Sequence, residues 1–206
     1  MKEAFEALTT TETLFFRDLA PFDALREHII PELAQRNAGH PLSIWSAACS
    51  TGQEAYRIAM LFAEHHHQIP FRIIGTDIAP TVLTKAREGV YLQHEVNRGL
   101  PAKLLIKYFR QKTGDWIISD ALRACVDFRH LNLTASWAEL PAYDLILMRN
   151  VLIYFDVETR RQILSRVKKQ LRPGGYVSLG GADPPVQIDP SFVPVTFGRA
   201  TFYRIE

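Results

Sequence analysis

Apolar and polar positions along the chain follow two alternating periods. Over residues 21–37, PFDALREHIIPELAQRN, the apolar Phe22, Leu25, Ile29 and Leu33 recur at helical spacing. Pro21 is well placed to open that helix, and Pro31 to kink it or divide it in two. The run LSIWSAA at 42–48 is short, apolar and bounded by breakers, as a buried strand is. A polar loop, CSTGQ, leads into a helix over 53–66. FRIIGTD at 71–77 reads as a second buried strand, and TVLTKAREG at 81–89 as a helix closed by Gly89.

The pattern loosens between 90 and 131. PAKLLIKYFR at 101–110 is helical, and the two β-like runs DWII and CVDFRHL predict a small hairpin at about 114–128. Alternation resumes with a strand YDLILM at 143–148 and a helix DVETRRQILSRVKKQL at 156–171. Arg172, Pro173, Gly174 and Gly175 stop that helix, YVSLGG begins another strand, and a proline-rich tail ends in an antiparallel pair. No repeat or linker interrupts the chain, so a single domain over 1–206 is expected. Alternating strands and helices imply a doubly wound, mostly parallel α/β sheet with helices on both faces and its ligands at the carboxyl ends of the strands. The chemistry then belongs just after residues 48, 77 and 148.

Composition narrows the picture further. The 206 residues are 47% hydrophobic and 22% charged, a globular balance with ample material for a core. With 24 basic and 22 acidic side chains the net charge is +2, which gives no electrostatic case for nucleic acid or an anionic membrane as obligatory partner. Two cysteines, Cys49 and Cys125, are too few for a disulfide-stapled secreted scaffold, and a reduced, cytoplasmic protein is expected. His65, His66 and His67 are consecutive; on a helix they point about 100° apart and do not converge on one metal ion.

Three strand ends carry candidate chemistry. The small residues of SAACSTGQEAY, 46–56, let a ligand approach the backbone, but this is neither a G-x-G-x-x-G fingerprint nor a Walker A loop. Asp77 suits either a helix cap or a pair of ribose hydroxyls. In MRNVLIYF, 148–155, Arg149 and Asn150 follow a buried strand and Tyr154 lies four residues past Asn150, where polar groups need a partner, solvent or a function.

Taken together, TTETLFFR (10–17), IWSAACSTGQEAY (44–56), GTDI (75–78), NL (132–133), RNVLIYF (149–155) and LRPGG (171–175) resemble, in order, the motifs of the CheR family. These are S-adenosylmethionine-dependent methyltransferases that esterify glutamate side chains of bacterial chemoreceptors. The resemblance runs from about residue 9 to 180 and implies a class I S-adenosylmethionine-dependent methyltransferase fold, with a short motif at 9–17 closing the cofactor site. By position it assigns Thr11, Thr13 and Arg17 to the cofactor site and Asp77 to the ribose. Glu54 goes to the methionyl amine, Asn132 and Leu133 to the adenine, and Arg149 and Asn150 to the methionine moiety. Arg17 and Tyr154 are the pair facing the transferred methyl group.

The chemistry implied is an in-line transfer to a carboxylate that is already ionised at neutral pH, so neither a general base nor a metal is required. S-adenosylhomocysteine is the product. The implied partner is a protein bearing a target glutamate, a chemoreceptor or related signalling protein, met by a monomer with no membrane insertion. A non-catalytic S-adenosylmethionine or S-adenosylhomocysteine sensor and a small-molecule O-methyltransferase are the alternatives. Three features depart from the family: its N-terminal helical domain has no counterpart in this sequence, Gln53 stands in Gly-Gln-Glu where Gly-Glu-Glu is usual, and Gly180, Gly181, Ala182 and Asp183 replace Gly-His-Ser-Glu. The hairpin that holds a receptor tail through arginines in some members has Ile117, Ile118 and Ser119 here, so no such tether is expected.

Overall fold

The computed structural model describes Phe15 and residues 18–180 and 185–206. The first helical period forms one continuous segment, α1, made of Ala20–Ala24, a π-helical stretch Leu25–Ile29, and Ile30–Arg36. It buries Phe22, Leu25, Ile29 and Leu33. Pro31 neither divides it nor ends it. The lost proline N–H is absorbed by widening the preceding turn, where the Ile30 N–H reaches back to the Leu25 carbonyl.

The chain then alternates as its pattern implies: β1 Leu42–Ala47, α2 Gln53–His65, β2 Phe71–Asp77 and α3 Pro80–Glu88, which closes on Gly89 in the left-handed conformation. Three short strands and three short helices follow: β3 Val90–Tyr91, α4 Gln93–Asn97, α5 Ala102–Tyr108, β4 Phe109–Lys112, β5 Asp115–Ile118 and α6 Asp120–Arg123. The sheet resumes with β6 Val126–His130, β7 Tyr143–Leu147, α7 Val157–Gln170, β8 Leu171–Ser178, β9 Phe192–Phe197 and β10 Ala200–Ile205.

Seven strands form the main sheet in the order β6-β2-β1-β7-β8-β10-β9. β6, β2, β1, β7 and β8 pair in parallel, while β10 runs antiparallel to both β8 and β9. Side chains alternate across β1: Leu42 and Ile44 join the core made with α1, α2 and α3, whereas Trp45 and Ala47 join the core made with α7. Trp45 packs edge-on to Trp137 at 4.9 Å and stacks on Tyr143 at 5.4 Å. Because β1 has β2 on one side and β7 on the other, the strand order reverses at β1, where doubly wound sheets open a crevice.

The hairpin is not at 114–128. β5 pairs with β4 across the turn at residues 113–114, with β3 on its other side, whereas Val126–His130 is the edge strand of the main sheet, parallel to β2. Val126 and Phe128 point into the core and their neighbours outward, a pattern that one buried face of any sheet satisfies, so it could not say which sheet. The relocated hairpin brings Arg110 and Lys112, both exposed, onto its outer strand. The expectation of no tail tether, which rested on residues 117–119, loses its ground.

Gly75, in the middle of β2, has a tight neighbour. A Cβ there would lie 2.7 Å from two ring atoms of Phe128 and 3.2 Å from the Cys49 sulfur. Gly75→Ala is therefore expected to destabilise the fold by about 1 to 3 kcal/mol through overpacking. Thermal unfolding followed by circular dichroism checks this, and an unchanged midpoint would show that Phe128 can give way.

Candidate active site

A cavity of about 490 Å3 opens at the carboxyl ends of β1, β2 and β7. β2 and β7, with the neighbouring edge strand β6, deliver residues singled out from the sequence: Asp77 ends β2, Arg149 and Asn150 follow β7, and Asn132 and Leu133 follow β6. Tyr154, on the 3-10 turn Leu152–Tyr154, completes the set on the rim. Thr11, Thr13 and Arg17 lie outside the described residues.

The backbone around the cavity is held in an uncommon conformation. Five described non-glycine residues have positive φ, and three of them, Ala48 (54°), Ser50 (50°) and Asn150 (59°), line it. Asp77 fixes part of this shape: one carboxylate oxygen accepts the Ser50 N–H at 2.9 Å and the other the Ala79 N–H at 3.0 Å. Ala79 precedes the first turn of α3, so Asp77 does act near a helix start. Each oxygen keeps a lone pair for a further donor. Asn132 uses its carbonyl oxygen on the Thr134 N–H at 2.9 Å and the Thr134 hydroxyl at 2.8 Å, the local turn expected of an asparagine in a loop.

Glu54 does not line this cavity. It stands on the first turn of α2, where it accepts the buried Ser46 hydroxyl at 2.8 Å and an Arg149 Nη–H at 3.3 Å. The Arg149 side chain is only 9% exposed and also pairs with the Asp18 carboxylate. Its Nε–H is buried with no partner among the described residues. Arg57, one turn along α2 from Glu54, lies 3.5 Å over the Phe22 ring and donates to the Asp18 carbonyl at 2.9 Å. Burial, with Arg149 adding to it, pushes the Arg57 guanidinium down to about 9, which still leaves it charged at neutral pH. Asp18 and Arg57 were not among the residues read from the sequence. The available signals were the three-residue spacing of Glu54 and Arg57, and Asp18's place next to Arg17.

Cys49, in the loop after β1, is buried, and burial pushes its thiol well above the usual range, with Asp77 and Glu54 adding to the effect. It stays protonated and packs against its surroundings. Among the described residues no cluster of histidine, cysteine and carboxylate side chains has the arrangement of a metal site, and no helix is long and apolar enough to cross a membrane.

Two exposed apolar side chains, Ile78 and Tyr154, line the cavity, and Ile153 and Val157, close to Tyr154 in the chain, are exposed as well, all four between 42% and 57%. The described lining contains no histidine, lysine or cysteine.

Residues 11–195 match the family described as CheR methyltransferase, SAM binding domain. Chemotaxis protein methyltransferase 1 of Pseudomonas aeruginosa is 43% identical over 185 residues, covering 86% of this chain and 68% of that protein. Chemotaxis protein methyltransferase Cher2 of Pseudomonas putida is 40% identical over 189 residues, covering 88% and 69%. Among solved structures, the DszA carbon methyltransferase superposes with a TM-score of 0.50 at 16% identity, over 77% of this chain and 34% of that one, a likeness of fold.

Proposed function

Because the chain belongs to the CheR methyltransferase family, we propose that it moves the methyl group of S-adenosylmethionine onto a glutamate carboxylate of a chemoreceptor-type protein. The observation that carries this reading is the make-up of the cavity. Its described lining has one carboxylate, Asp77, already engaged by two backbone N–H groups, and no side chain suited to deprotonating an acceptor at neutral pH. A carboxylate acceptor needs no deprotonation, whereas a hydroxyl does.

The residues present suit the donor. Asp77 has lone pairs left for two ribose hydroxyls, and the buried Nε–H of Arg149 has among the described residues no acceptor, which a carboxylate would supply. Glu54 beside it is a partner for an ammonium. When bound, the sulfonium supplies an electrophilic methyl group. Tyr154 and Arg17 orient the acceptor oxygen without pairing so tightly that its charge is quenched, since charge disappears as the transition state forms. The exposed apolar surfaces of Ile78 and Tyr154 shed water from the approaching carboxylate, which strengthens its attraction to the cation. On this reading the protein works in the cytoplasm as a monomer and needs no metal.

Incubation with methyl-labelled S-adenosylmethionine and bacterial membranes carrying chemoreceptors is expected to label receptor protein, and mild base is expected to release the label as volatile methanol. Label that resists base, or appears only on small molecules, would overturn the acceptor assignment. Tight S-adenosylhomocysteine binding with no transfer to any acceptor would instead favour a sensor.

A further inference from the structure

Four charged side chains meet beside the cavity from three parts of the chain. Glu54 and Arg57 stand three residues apart on the first turns of α2, a spacing that puts them on one face. Arg149 follows β7, and Asp18 precedes α1. Asp18 joins the two guanidinium groups: its carbonyl accepts from Arg57 at 2.9 Å and its carboxylate from Arg149. Phe22 of α1 is a shelf under both, 3.5 Å from the Arg57 guanidinium and 5.8 Å from that of Arg149.

One Nη of Arg149 goes to Glu54 and the other to Asp18, and its Nε–H, although buried, faces no acceptor among the described residues. A guanidinium with both Nη groups committed and its Nε edge bare is set to receive one more anion. Glu54 touches Arg149 at only 3.3 Å and through one oxygen, so it is not locked into a two-pronged pair. We propose that Asp18 and Arg57 are positioning residues that keep Arg149 and Glu54 in a single-pronged contact, short of a bidentate pair, so that the two accept the zwitterionic α-amino acid end of the donor.

The logic is a competition. Without the Asp18 carboxylate, Arg149 is free to turn onto Glu54 and form a bidentate pair, which uses up the acceptor an ammonium needs and the donors a carboxylate needs. Arg57 keeps Asp18 in place from the other side, through the backbone, and its planar fork over Phe22 is a role lysine fills only in part. This inference rests on the donor reading given above.

The test compares two ligands by calorimetry: S-adenosylhomocysteine, and 5′-methylthioadenosine, which has the same nucleoside and thioether sulfur but no amino acid. Wild type is expected to prefer the first. Asp18→Asn and Arg57→Gln are each expected to weaken S-adenosylhomocysteine about tenfold or more while changing 5′-methylthioadenosine by less than about threefold, with Arg57→Lys in between. Equal losses for both ligands would mean a merely structural role and overturn the proposal, as would no loss for either. Should Arg57→Gln fail to fold, Asp18→Asn decides, since the Asp18 side chain is half exposed. Wild type binding neither ligand would sink the donor reading itself; wild type binding both equally would spare that reading and overturn the role of Asp18 and Arg57.

Discussion

Asp77→Ala is expected to weaken binding of S-adenosylmethionine and S-adenosylhomocysteine by about 1 to 3 kcal/mol, roughly 5- to 150-fold. Two effects add. The ribose loses its charge-assisted hydrogen bonds, and the Ser50 and Ala79 N–H groups lose the carboxylate that fixes the loop after β1 and the entry to α3. Ser50 has positive φ, so the loop conformation that Asp77 holds is one the chain would leave without it. Asn is not a mild replacement here. Its amide would turn two N–H donors toward a backbone N–H, whichever way it is flipped, so Asp77→Asn is expected to behave more like Ala than like wild type. Calorimetry on protein whose circular dichroism is unchanged checks this. Wild-type affinity in Asp77→Ala would remove Asp77 from the ribose site.

The alternation that was legible in the sequence is the one set by long, strongly patterned elements. β1, α2, β2, α3, β7 and α7 fall within a residue or two of their expected ends, because a buried strand with breakers or a one-sided helix leaves few alternatives. The region of short elements was less legible. Phe109–Lys112 continues the lysine-rich helix in sequence but pairs as a strand, and nothing local separates the two states over four residues. Pro31 shows the reverse: a local rule for breaking a helix is overruled by Ile29, Ile30 and Leu33, all buried against the sheet.

For the site, strand ends were enough to bring Asp77, Arg149, Asn150 and Tyr154 to one cavity, and the family resemblance added Asn132. The roles of Glu54 and Arg149 toward each other were not readable, because they meet across 95 residues. Asp18 and Arg57 stayed invisible for the same reason: Asp18 meets Arg57 at a separation of 39 residues and Arg149 at 131. A charged residue on an amphipathic helix reads as solvated until the fold shows what covers it. Here Phe22 and the chain at Asp18 cover Arg57.

Methyl transfer under limiting acceptor is expected to be nearly flat from about pH 5.5 to 8, below the range in which Arg57 loses its charge, and Tyr154→Phe is expected to lower kcat about tenfold without changing that profile or the donor affinity. A glutamate with an ordinary pKa of about 4.3 is already more than nine-tenths ionised one unit higher, so the acceptor contributes no limb above that. The described lining adds none near neutrality, having no histidine, lysine or cysteine, and the buried Cys49 thiol is held protonated well above its usual range. A hydroxyl acceptor would behave otherwise. It must lose its proton in the reaction, so its rate would rise through the pKa of whatever base served it. The tyrosine hydroxyl, half exposed at the rim, has in this scheme a directional task only: to aim the acceptor oxygen along the axis of the breaking carbon–sulfur bond. Loss of direction costs rate at saturation and leaves binding alone, which separates Tyr154 from Asp77 in one set of kinetics. Base-labile methanol release, followed across the pH range for wild type and Tyr154→Phe, provides the measurement. A basic limb near pH 7 to 8 in the wild type that disappears in Tyr154→Phe would make the tyrosine part of a proton-transfer path and shift the acceptor from a carboxylate to a hydroxyl.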